Sequence, residues 1–201
     1  MKKTVLALSM MVLFSGVVSA HEAGSALVRA GGIAVVPNTS TDNLPFNVNA
    51  NAQLGLTATY MLTDNFGVEL LAATPFSHEI KLGDTLVGKT KHLPPSLYAQ
   101  YYFLDKNAIA RPYIGAGVNY TTFFKEKVEM PGVTELKLKD SWGAIANVGV
   151  DISVTDNVFI NASVWYAKIK TKATYKLAGT PMTTKVTLDP TVFFLGVGYR
   201  F

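Results

Sequence analysis

The chain closes on Thr191-Val192-Phe193-Phe194-Leu195-Gly196-Val197-Gly198-Tyr199-Arg200-Phe201. In an extended strand, Thr191, Phe193, Leu195, Val197, Tyr199 and Phe201 fall on one side. Val192, Phe194, Gly196, Gly198 and Arg200 fall on the other. A continuous apolar face backed by glycines and an arginine is out of place in a water-soluble sheet. It suits a β-barrel wall whose outside meets lipid and whose inside must leave room.

The opposite end agrees. Lys2 and Lys3 form a positive start, Thr4 to Phe14 an apolar run, and Val18-Ser19-Ala20 a small-residue cleavage site. This pattern predicts a secretory signal peptide over 1–20, cut between Ala20 and His21, and a barrel over 21–201. A transmembrane helix needs about 20 apolar residues, and Gly16 with the small residues after it favours cleavage. Cysteine is absent, which excludes a disulfide scaffold and a thiol-anchored lipoprotein. The chain carries 18 Lys+Arg against 14 Asp+Glu, and loss of Lys2 and Lys3 brings the two close to balance. Charge therefore points to no nucleic-acid partner, and export argues further against one. Composition is 49% hydrophobic, yet no stretch after residue 20 could span a bilayer as a helix. Lipid offers the backbone no hydrogen-bond partners, so a closed barrel is the remaining spanning solution.

Eight segments read as antiparallel strands: 25–36, 52–62, 66–75, 92–103, 111–124, 139–153, 158–169 and 188–201. In the seventh, Val158, Ile160, Ala162, Val164 and Tyr166 oppose Asn161, Ser163 and Trp165. The first and fourth alternate less clearly. Thr63-Asp64-Asn65, residues 105–110 and Thr155-Asp156-Asn157 are short polar turns. Longer polar stretches lie near 37–51, 76–91, 125–138 and 170–187. Short periplasmic turns and longer extracellular loops are the outer-membrane pattern, so both termini should be periplasmic. Tyr60, Phe66, Tyr101, Phe103 and Tyr199 would form a lower aromatic girdle, and Tyr120, Trp142 and Phe193 an upper one.

Several blocks also carry a resemblance: Leu70-Leu71-Ala72-Ala73-Thr74-Pro75-Phe76, His92-Leu93-Pro94-Pro95, Arg111 to Tyr120, Lys139-Asp140-Ser141-Trp142-Gly143 and Gly198-Tyr199-Arg200-Phe201. Together they resemble the outer membrane protein W family of Gram-negative bacteria, over the whole of residues 21–201. Phe201 likewise resembles the terminal aromatic that serves outer-membrane barrels as an assembly signal. The resemblance implies an eight-stranded barrel in the outer membrane, with a narrow, largely apolar channel linked to passage of small hydrophobic molecules.

Eight strands enclose a lumen that side chains can fill, so the inward residues decide function. Glu69 and Asn161 each lie four residues up their strands from a periplasmic turn, and Asp151 lies four before one. Arg111 opens the fifth strand, Arg200 stands one residue from the end, and Arg29 belongs to the same level if it faces inward. Charges of both signs at one depth should pair, as a plug that fills the barrel or as a gate. Higher up, Leu71, Ile145, Trp165 and Phe123 turn the lumen apolar, as packed core or as a pocket for an alkyl chain or aromatic ring. Pro75, Pro94 and Pro95 meet at the top of the third and fourth strands. Proline lacks the N–H a ladder needs, so pairing there should weaken or stop. Either the hairpin continues as loop or a lateral opening into lipid results.

Catalytic readings fail. Ser77-His78-Glu79 points adjacent side chains to opposite faces and cannot form a relay. Three histidines, of which only His78 and His92 could meet across a hairpin, make no zinc site, and no cofactor motif occurs. Two expectations remain: a transport barrel for a small hydrophobic solute, or a non-conducting barrel whose loops bind extracellular ligands or stiffen the membrane.

Overall fold

The computed structural model describes residues 21–41 and 46–201; the expected signal peptide over 1–20 lies outside them. The wall consists of eight strands: Ala26–Val36, Asn51–Met61, Phe66–Ala73, Ser96–Tyr102, Ala110–Val128, Ser141–Ser153, Val158–Ala167 and Thr191–Arg200. Each pairs antiparallel with the next. The eighth returns to the first, from Leu27↔Arg200 to Val36↔Thr191, which closes the barrel. Burial alternates strictly where the sequence does. In the seventh strand Phe159, Asn161, Ser163, Trp165 and Ala167 face inward, while Ile160, Val164 and Tyr166 face out. Leu54 and Trp142 are more than 70% exposed, part of an apolar belt that only lipid can cover.

The two Thr-Asp-Asn turns use the same chemistry. The Thr63 hydroxyl accepts the Phe66 amide at 3.0 Å, and the Thr155 hydroxyl accepts the Val158 amide at 3.0 Å. Asn65 then donates to the Tyr102 carbonyl at 2.8 Å, and Asn157 to the Arg200 carbonyl at 3.2 Å. Each asparagine thus ties its turn to the end of another strand.

Beyond the belt the wall continues. The fifth strand has 19 residues. At about 3.3 Å per residue and a tilt of about 40°, it rises about 45 Å, well past the roughly 30 Å hydrocarbon core. The stretch 76–91 forms a hairpin, Phe76–Leu82 with Thr85–Leu93, whose second arm pairs with the top of the fifth strand. There Lys89 faces Lys127 while Lys91 faces Phe124, so one extra residue bulges out of the fifth strand, with Lys125 at φ 55°. Val133–Leu138, Lys170–Leu177, Thr180–Thr187 and Ser40–Thr41 form a second sheet above the barrel. Its tight turn, Ala178-Gly179, has φ of 49° and 83°, the positive pair of a type I′ hairpin.

The strand boundaries need correction at the prolines. The third strand stops at Ala73 rather than 75, and the fourth begins at Ser96 rather than 92. Pairing between them ends at Leu71↔Ser96 and resumes in the hairpin at Phe76↔His92. Residues 72–75 and 93–95 lie between those two registers, and Pro75, Pro94 and Pro95 are three of those seven.

Candidate functional site

The lumen is polar at the periplasmic end and apolar above it. The floor is built on Arg29, which the first strand holds inward and which is 1% exposed. Its Nε donates to Asp151 at 3.1 Å and its Nη2 to the other oxygen of the same carboxylate at 2.6 Å. Nη1 donates to Glu69 and, at 2.7 Å, to the Thr59 hydroxyl. Nη2 also reaches the Tyr102 hydroxyl at 2.8 Å. Asp151 takes three further bonds, from Asn161 at 2.8 Å, from His21 Nε2 at 2.7 Å and from the Tyr102 hydroxyl at 3.4 Å. Glu69 is held by the hydroxyls of Thr59 and Tyr98 as well. Arg29, Glu69 and Asp151 therefore each have an opposite charge and hydrogen-bond partners, the condition under which burial is tolerable.

Arg111 and Arg200 stand at the same end but outside this ion-paired centre. Arg111 donates to the carbonyls of His21, Asp64 and Leu104 at 2.8–2.9 Å and lies over the Tyr102 ring. Arg200 donates to the Asp156 carbonyl at 3.0 Å and to the Ser153 hydroxyl at 2.6 Å, and lies over Phe159. The five charges expected to share one network thus divide into a paired core of Arg29, Glu69 and Asp151 and two rim arginines that bind backbone carbonyls. His21, Tyr98 and Tyr102 belong to the floor and were not among the expected residues. The tyrosines sit in the fourth strand, where Tyr98, Tyr101 and Tyr102 occupy both faces and blur the alternation.

Above the floor, Trp165 donates its indole N–H to the Tyr98 hydroxyl at 2.9 Å and meets Phe194 edge-on. Leu71, Ile145 and Trp165 line a small cavity of about 30 Å³. Ala73, Phe76, Pro94 and Ser96 line it too, so it reaches the gap between the third and fourth strands. Phe123 is not in that group; it lines a larger cavity of about 150 Å³ higher up. The larger cavity is walled by Ile80, Val87, Leu136, Leu138 and Val186 among others, the inward faces of the strands above the barrel. His92 borders both cavities. It stacks against Phe76 and His78, with ring centres 5.4 and 4.8 Å away and those two 6.4 Å from each other, and Phe123 lies at 6.0 Å. His78 and His92 do meet across their hairpin. Among the described residues, no group of three or more metal-ligating side chains forms around them.

Burial lowers the pKa of both histidines. His92 falls to about 3, with the charge of His78 as a second cause. His78 is lowered by burial against an opposing hydrogen bond to the Asn49 carbonyl at 2.6 Å. Both rings are therefore neutral at physiological pH.

Comparison with known proteins places this arrangement. The OmpW family model matches residues 22–201. Outer membrane protein W of Vibrio cholerae serotype O1 is 49% identical over the full length of both chains. Outer membrane protein W of Escherichia coli K12 is also 49% identical, over all of this chain and 99% of its own. The crystal structure of the outer membrane protein OprG from Pseudomonas aeruginosa superposes with a TM-score of 0.85 at 38% identity, covering 90% of this chain and 98% of that one.

Proposed function

The chain belongs to the OmpW family and is an outer-membrane β-barrel of a Gram-negative bacterium, and from this premise we propose that it carries small hydrophobic molecules across the outer leaflet. The observation behind the proposal is two apolar cavities stacked over an ion-paired floor, the lower one bordering the wall where ladder pairing lapses. A solute enters among the strands above the barrel and sheds water into the upper cavity around Phe123. It then meets Leu71, Ile145 and Trp165. The floor of Arg29, Glu69 and Asp151, with rim arginines Arg111 and Arg200, is a plug that stops water and ions. The lower cavity has room for little more than a water molecule, so a larger solute must part its walls. The wall yields most readily where residues 72–75 and 93–95 lack pairing with each other, and Pro75, Pro94 and Pro95 make this the lateral exit into lipid. No catalytic step and no cofactor enter this reading.

The same compactness favours a second reading, a non-conducting barrel that acts through its extracellular strands. Trp165 is only 1% exposed, as it would be in a packed core. Fluorescence of Trp165 separates the two in the Trp142→Phe background, which leaves Trp165 as the single tryptophan. Short-chain alkyl compounds and small aromatics are titrated in lipid vesicles. A saturable response that Leu71→Arg abolishes supports transport. A flat response, with Trp165 beyond the reach of quenchers, removes it. For the exit, amide exchange at Leu93 and Ser96 should outpace that of Leu97 to Gln100; equal protection would close the lateral route.

A further inference from the structure

His92 is the one polar side chain bordering the two cavities that is left without a hydrogen bond, among the described residues. Its neighbours are all engaged. In the upper cavity Tyr175 and Thr184 share a bond at 3.3 Å, Thr171 is bound to the Lys139 carbonyl, and the Thr90 hydroxyl reaches the Lys91 carbonyl at 3.4 Å. His78 Nδ1 faces a carbonyl, which only accepts, so Nδ1 carries the proton and Nε2 is bare. That Nε2 is sealed off without a partner. In the lower cavity Asn119 donates to Ser96 at 2.8 Å, Ser96 donates to the Pro94 carbonyl at 3.1 Å, and Trp165 is bound to Tyr98.

His92 differs in kind. It is only 4% exposed, yet its ring nitrogens are not among the sealed, unpaired atoms, so they keep some accessible surface on a ring that lines both cavities. A buried polar group without a partner is costly, and an apolar solute would leave it so. A neutral imidazole presents one N–H donor and one bare acceptor. A hydroxyl can answer either.

Resting on the transport reading above, we propose that His92 is a recognition residue at the throat between the cavities, and that the preferred solutes are apolar molecules with a single hydroxyl group, alcohols or phenols, rather than plain hydrocarbons. The apolar body lies against Phe123 and the aliphatic walls, and the hydroxyl bonds to the His92 ring. Phe76 and His78, neighbours on the facing strand of the hairpin, hold that ring in place by stacking against it. Burial keeps the imidazole uncharged, so the solute meets a dipole and not an ion.

The test compares 1-octanol with n-nonane, molecules of equal length, titrated into the refolded chain in phosphatidylcholine nanodiscs with each affinity corrected for partition into lipid. Octanol should bind about tenfold tighter, the worth of one net hydrogen bond. It should also shift the ring-nitrogen resonances of His92 and leave Nδ1 of His78 in place. His92→Phe should bring the two affinities together; should that variant fail to fold, the wild-type resonances decide alone. Equal affinities in the wild type, or octanol binding with His92 nitrogens unmoved, overturn the role of His92 and leave the transport reading standing. Binding of neither molecule overturns both.

Discussion

Arg29 shows how much one residue can hold. Its guanidinium bridges two carboxylates from strands on different parts of the wall, so removing it strands Glu69 and Asp151 as unpaired buried charges. Arg29→Leu should cost about 3–5 kcal/mol, read as a lower urea midpoint for unfolding from lipid vesicles. A change below about 1 kcal/mol would mean that the carboxylates find other partners. Its inward direction was legible only conditionally, because alanine and glycine around it give weak alternation. The pairing of Glu69 with Asp151 through one arginine could be anticipated from their common depth. That Arg111 and Arg200 would bind carbonyls instead could not, since strand parity sets a side chain's direction and leaves its reach among turns open. His21 carried no signal at all: a residue before the first strand has no parity to read.

At the scale of the element, glycine and histidine make the sharper predictions. A Cβ on Gly117 would stand 2.2 Å from the Leu97 carbonyl oxygen and 2.4 Å from the Tyr98 Cα, both backbone atoms of the neighbouring strand. Gly117→Ala should therefore cost about 1–3 kcal/mol by urea unfolding, the usual range for overpacking. The hairpin Phe76–Leu82/Thr85–Leu93 should respond to pH. His92, depressed to about 3, and His78, also depressed, take up protons more readily unfolded than folded. Their stabilising contribution is complete above the unfolded pKa of about 6.5 and is lost as pH falls toward the folded values. The slope is at most about 1.4 kcal/mol per pH unit for each ring. Facing His92 are His78, Phe76 and Phe123, while Glu79 and Lys89 pair with each other at 3.1 Å on the outer side. Between pH 7 and 5 the urea midpoint of the wild type should fall, and that of His92→Phe should fall less; identical slopes would show that His92 does not titrate with unfolding. The extracellular strands themselves were read as loops. Lys-Thr-Lys-Ala-Thr-Tyr-Lys-Leu over 170–177 does alternate, but its outward residues meet water and its total polarity resembles a loop. Ala178-Gly179 was the available hairpin signal.

For the whole molecule, barrel closure was legible because lipid imposes one rule on every wall strand: apolar outside, anything that fits inside. Cavity volume follows no such rule. Leu71, Ile145 and Trp165 share a chamber and Phe123 belongs to another because the wall breaks at the prolines and resumes above, a step visible only in three dimensions. The proposed plug predicts a conductance effect at this scale. Replacing Arg29, Glu69 and Asp151 together by alanine, in a barrel shown to fold by its circular dichroism, should raise ion current across planar bilayers above the wild-type level. An unchanged current would mean that the rim arginines and tyrosines form the seal.

The fifth strand's excess length has a consequence for what happens at the cell surface. An oily compound drifting toward the cell is turned back by the hydrated, charged layer outside the bilayer, not by the hydrocarbon beneath. In the transport proposed above, a wall that stands clear of the hydrocarbon, lined within by Val87, Leu136 and Val186, moves the point of dehydration outward to its rim. Water is surrendered once, at the mouth, and the passage below is spared a second crossing of that layer.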